Sequence, residues 1–241
     1  MRQHLLLAFF AGVFSWGILG KSNWDFAWLF ALSIFIAYQW LEERRNHPIY
    51  LLLAGITSIL YAYKLSPFSW GFATYCGLGL LVYHYEKGIK WRRIPFVKSL
   101  FISVCWFTLG IAIPKLVLFN HGWLSGTLSH LLLFFALALV EDLADVASDE
   151  GHIKTIPHYL SKSTTEVLIV LLLFLYLSMS PILSLFSPNI EIKLISYLAF
   201  LGPFMYYYYL RKTTNVNHRY FEFILFVIGI LHLLVQNKVN S

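Results

Sequence analysis

Apolar runs of near-membrane length follow one another along almost the whole chain, and that repetition constrains its fold more than any other feature. They cover roughly residues 4–20, 24–41, 48–64, 67–84, 96–117, 123–142, 163–180, 190–210 and 218–236. A stretch of about 17–25 apolar residues spans a hydrocarbon core of ~30 Å as a helix. No long soluble insertion separates the runs. The expectation is an all-α, polytopic membrane bundle of about nine transmembrane helices, forming one domain over residues 1–241. Only 12% of the residues are charged and 59% are hydrophobic, against about 25% charged in a soluble domain. A soluble core is therefore disfavoured, and the first run reads as a spanning helix, not a cleaved signal. The formal charge of +6 then concerns topology, with the lipid bilayer and not nucleic acid as the partner.

The basic residues orient the bundle. With the N-terminus on the cytoplasmic side, only Lys21, Lys64, Lys115, Lys193 and Lys238 fall outside, out of 18 lysines and arginines. The excess of positive charge inside matches the usual bias of cytoplasmic loops. Two acidic stretches then lie at the cytoplasmic face: Glu42-Glu43 after the second run, and the segment that closes the sixth.

That second segment reads Glu141-Asp142-Leu143-Ala144-Asp145-Val146-Ala147-Ser148-Asp149-Glu150. On a helix, positions 142, 145 and 149 fall within about 60° of one another. Three carboxylates on one stripe repel each other, and each costs about 2.5–3.5 kcal/mol at the centre of a membrane helix. A hard cation such as Mg²⁺ relieves both costs, since it takes oxygen ligands and bridges carboxylates to phosphate. The bland account is a solvated helix end. The one-sided spacing favours a metal and a phosphorylated ligand.

The chain continues Gly151-His152-Ile153-Lys154-Thr155-Ile156-Pro157. With this continuation the stretch resembles the second aspartate-rich motif of the UbiA superfamily of intramembrane prenyltransferases. That motif is D-x-x-D-x-x-x-D, followed by a basic residue, Thr, an aliphatic residue and Pro. Asp142, Asp145, Asp149, Lys154, Thr155, Ile156 and Pro157 match it, with a connecting stretch about one residue shorter than usual. The nine-run count and the position of both acidic stretches agree with the family, as does Tyr83-His84-Tyr85-Glu86-Lys87, similar to its Tyr-x-x-x-Lys.

The first motif of the family, N-x-x-x-D-x-x-x-D, corresponds to Gln39, Glu43 and His47. A Glu still ligates Mg²⁺ and a Gln still hydrogen-bonds a diphosphate. Each adds a methylene that shifts its oxygen by about 1 Å, which matters in a strict octahedral site.

The resemblance implies an Mg²⁺-dependent enzyme. It would transfer a prenyl group from an allylic diphosphate to a hydrophobic acceptor: an aromatic ring, a quinone precursor or a lipid. It implies Asp142, Asp145 and Asp149 as the catalytic metal cluster, with Glu43 as a further metal ligand. Gln39, Lys87 and Lys154 would bind the diphosphate. The altered first motif also fits a non-catalytic member of the family that binds a lipid or a partner. A cation transporter is disfavoured because the acids sit at a helix end instead of the midplane. His130, deep in the sixth run, reads as a helix-to-helix hydrogen-bonding residue, and Tyr206-Tyr207-Tyr208-Tyr209 as an interfacial belt. His152 and His158 read as interface residues and not ligands, because Mg²⁺ prefers oxygen.

Overall fold

A computed structural model describes residues 2–41, 52–53, 56–57, 59–60, 63, 94, 96–119, 127–146, 155–179, 190 and 223–239. All regular structure among the described residues is helical. The helices are α1 (Arg2–Leu19), α2 (Trp24–Leu41), α3 (Val97–Phe107), α4 (Ile113–Phe119), α5 (Ser129–Asp145), α6 (Ile156–Leu160), α7 (Lys162–Met179) and α8 (Phe223–Val239). A 3₁₀ turn, Lys21–Asn23, joins α1 to α2, and a π-helical turn, Thr108–Ala112, joins α3 to α4. The described positions between 48 and 64 are helical too. The runs at 67–84 and, except for helical Ile190, at 190–210 lie outside the described residues.

Through the π turn, Val97–Leu118 forms 22 residues of helix, long and apolar enough to cross a membrane. Among the described residues, Leu5–Leu19, Trp24–Gln39 and Phe223–Leu234 are shorter apolar helices. The chain divides into two compact units.

In the first unit α1 packs on α2. Gly20 ends α1 at φ 93°, a region that favours glycine. Its N–H bonds the Trp16 carbonyl at 2.9 Å, and the Asn23 side chain donates to the Leu19 carbonyl at 2.8 Å. These donors satisfy carbonyls that a helix end leaves open. The short turn brings α2 back along α1, and Leu19, Phe26, Leu29 and Ile113 form a buried cluster. Small residues let backbones approach, as is common between membrane helices. A Cβ on Gly17 would lie 2.7 Å from the Gly229 Cα, and one on Gly229 would lie 2.7 Å from the Phe14 Cα.

The π turn has a local cause. Pro114 has no N–H for the carbonyl four residues earlier, that of Gly110. Ser15 fills the gap: its hydroxyl donates to the Gly110 carbonyl at 2.7 Å, and both residues are buried. The Phe30 ring lies where a Gly110 side chain would be, 2.7 Å from a Cβ built there.

In the second unit α5 packs against both α3 and α7. Trp106 meets Phe134 edge-on at 5.6 Å between ring centroids, and His130 meets Tyr176 edge-on at 5.7 Å. Leu133, Leu139, Ile169 and Leu173 are fully buried. Val167, Val170, Leu171, Phe174 and Leu175 form an exposed apolar stripe along α7, spaced three and four residues apart.

Candidate functional site

The acidic segment begins inside a helix. The spacing places Asp142 at the end of an apolar run, and α5 carries on past it to Asp145. Asp142 lies on the buried face of α5, continuing the line of Leu139 and Ala138, and is only 1% exposed. An ionised carboxylate so enclosed needs charge and hydrogen bonds to balance its lost hydration.

Helix α3 supplies both. The Lys98 ammonium lies 2.9 Å from Asp142 Oδ1. The Ser99 hydroxyl donates to Oδ2 at 2.5 Å. Ser99 is itself buried, and its carbonyl accepts from the Ser103 hydroxyl at 2.5 Å. Two consecutive residues of α3 thus engage the two oxygens of one carboxylate. Lys98 retains partial exposure, 18% of its side chain.

The remaining expected site residues divide by location. Asp145 lies in the last turn of α5, three residues beyond Asp142. Asp149, Glu43, Lys87 and Lys154 lie outside the described residues, as do His152, Tyr83 and Tyr206–Tyr209. Gln39 is fully buried near the C-terminal end of α2, in the first unit, whereas Asp142 belongs to the second. Among the described residues no three His, Cys, Asp or Glu side chains gather as a metal site.

The Thr155-Ile156-Pro157 part of the motif has a structural account. Thr155 is the N-cap of α6, Pro157 sits in its first turn, and Ile156 and Pro157 are buried. The Thr155 N–H donates to His158 Nδ1 at 3.2 Å, the back-reaching half of a capping box. His158 therefore starts a helix. His130 is buried, with Nδ1 3.1 Å from the Thr127 carbonyl one turn earlier and its ring against Tyr176 on α7.

Magnesium takes oxygen ligands at about 2.0–2.1 Å and keeps several waters. On Asp142 it would have to displace the Ser99 hydroxyl or the Lys98 ammonium, or lie beside a like charge inside a buried helix contact. The donor set around Asp142 fits an ammonium and does not fit magnesium without moving Lys98.

The participation of Lys98 and Ser99 is not evident from motif spacing. Lys98 reads as one of the cytoplasmic basic residues flanking a span. The usable signal is Ser99 and Ser103, four apart and next to that lysine, which mark a polar stripe on an otherwise apolar helix. No family model, curated protein or solved structure matches the chain.

Proposed function

We propose that this chain is a UbiA-like intramembrane prenyltransferase, transferring the prenyl group of an allylic diphosphate to a hydrophobic acceptor. The bond from the allylic carbon to the diphosphate oxygen breaks, diphosphate leaves with that electron pair, the acceptor supplies the pair for the new bond, and the acceptor then gives up a proton to water or to the departing diphosphate. In this reading about nine helices cross the bilayer, and the N-terminus and both acidic stretches face the cytoplasm. The exposed apolar stripe on α7 supports lipid contact. So do the close helix crossings at Gly17 and Gly229.

The observation that carries the reading is the charged Asp142 retained among apolar neighbours on the buried face of α5, with Asp145 following it. Ionisable groups in such helices are costly and mark functional sites by default. Magnesium dependence is carried by the sequence resemblance, and with Lys98 held on Asp142 the ligand roles in this reading fall to Asp145, Asp149 and Glu43. The diphosphate contacts of Gln39, Lys87 and Lys154 are carried by the same resemblance.

A second reading has its own support. Because α3 occupies both oxygens of Asp142, the same fold serves a non-catalytic protein that binds a lipid or a partner. One assay separates the two. Purified protein is incubated with allylic diphosphates of several lengths, aromatic and quinol acceptors, and Mg²⁺ or EDTA. Prenyl transfer that EDTA abolishes supports the enzyme. Absence of both transfer and Mg²⁺-dependent diphosphate binding, where a positive control works, leaves the non-catalytic reading.

A further inference from the structure

We infer that Lys98 is the built-in counter-cation of Asp142, and that Asp142 is a positioning residue held to α3 instead of a divalent-metal ligand. The inference goes beyond the proposed reaction and needs none of its substrates. It rests on three observations together. The ammonium and Oδ1 are 2.9 Å apart. The other oxygen accepts from Ser99 at 2.5 Å. Asp142 and Ser99 are each only 1% exposed.

The charges explain the arrangement. A buried carboxylate takes a cation wherever one is supplied, because the Coulomb term grows as water is excluded. Here the neighbouring helix supplies it, so the pair is neutral before any ion arrives. A divalent ion placed on the same carboxylate gains one negative charge and meets one positive charge a few ångströms away. Its attraction to Asp142 is then largely cancelled. The Ser99 hydroxyl takes one lone pair of the other oxygen and narrows the room left for a second ligand bond. Any divalent-binding capacity of the acidic segment thus falls to the carboxylates beyond Asp142, and Asp142 sets where α5 lies against α3.

The inference gives Lys98 a role that a merely structural lysine lacks: it suppresses metal binding at Asp142. The test titrates Mn²⁺ into the full chain in detergent, read by the paramagnetic signal of free Mn²⁺. Asp142→Asn is expected to change Mn²⁺ affinity by less than about twofold. Lys98→Gln should raise it about tenfold or more, and Lys98→Gln/Asp142→Asn should lose that gain. Melting temperatures give a second readout. Each single variant should melt well below wild type, and the neutral double variant should recover part of the loss, because only the singles leave a buried charge alone. Lys98→Gln failing to fold while the double variant folds is the same result in stronger form. The inference is overturned if Asp142→Asn weakens wild-type Mn²⁺ binding tenfold or more, or if Lys98→Gln gains nothing. Strictly additive melting losses also overturn it. Neither an allylic diphosphate nor turnover enters the experiment, so its result stands apart from that of the prenyl-transfer assay.

Discussion

The Ser15 hydroxyl donates to the Gly110 carbonyl at 2.7 Å, the acceptor that Pro114 cannot serve four residues along its own helix. A side chain from α1 thus completes the hydrogen bonding of a π turn ninety-five residues away in the chain. Ser15→Ala removes that buried hydrogen bond and should cost about 1 kcal/mol. Pro114→Ala restores an N–H at the required position. The double variant should therefore lose less than Ser15→Ala alone relative to its own parent, measured by thermal unfolding in detergent.

Gly17 and Gly229 meet backbone to backbone. Alanine at either position puts a methyl within 2.7 Å of main-chain atoms that have no rotamer to change. Gly17→Ala and Gly229→Ala should each destabilise the first unit by about 1–3 kcal/mol, the usual range for overpacking. Leu5→Ala, at a 59% exposed position, should leave the melting temperature nearly unchanged.

Ser99→Ala keeps the Lys98 contact but removes the hydroxyl on Asp142 Oδ2. A hydrogen bond to a charged group is worth about 1.5–3 kcal/mol, and the melting temperature should fall accordingly. Ser99→Thr retains the donor and should lose less. Equal losses in the two variants would mean that packing, and not the hydroxyl, holds the contact.

Thr155→Ala removes the N-cap side chain of α6 while leaving the Ile156 and Pro157 packing in place. Caps of this kind contribute about 0.5–2 kcal/mol. Faster amide hydrogen exchange over residues 156–160, with α5 unaffected, is the expected signature. A prenyl-transfer activity lost in Thr155→Asn, which still caps, would point instead to direct contact with substrate.

In the proposed reaction, Asp145→Asn should lower prenyl transfer by at least a hundredfold while leaving the melting temperature within a few degrees of wild type. Asp142→Asn should lower both, since it breaks the pair with Lys98. Measuring turnover and melting together separates a chemical role from a positional one. Activity that survives Asp145→Asn removes that residue from the site.

Chain order and hydropathy located the helices closely. The run at 24–41 is α2 end to end, 4–20 is α1 moved by a residue or two, and 163–180 is α7 moved by one. The run at 96–117 is the continuous Val97–Leu118. Burying apolar side chains and closing backbone hydrogen bonds within one segment are local requirements, so a linear pattern reveals them. At the C-terminal end of the 123–142 run the helix continues to Asp145, because a charged carboxylate with a partner across the interface need not end a helix.

What the linear pattern left open was which residues meet. Asp142 was legible as a charge out of place, but its partners Lys98 and Ser99 lie on another helix, forty-three residues away in the case of Ser99. Ser15 is one serine in an apolar run; only the fold sets its hydroxyl against the Gly110 carbonyl. Helices apolar on nearly every side carry little information about their rotation toward a neighbour. Rotation and register arise from ridge packing, glycine contacts and the pairing of the few polar groups, which exist only once the helices come together. Local pattern therefore accounts for the helical class of the described residues. Tertiary structure alone decided that the first aspartate of the acidic stripe is held by a lysine.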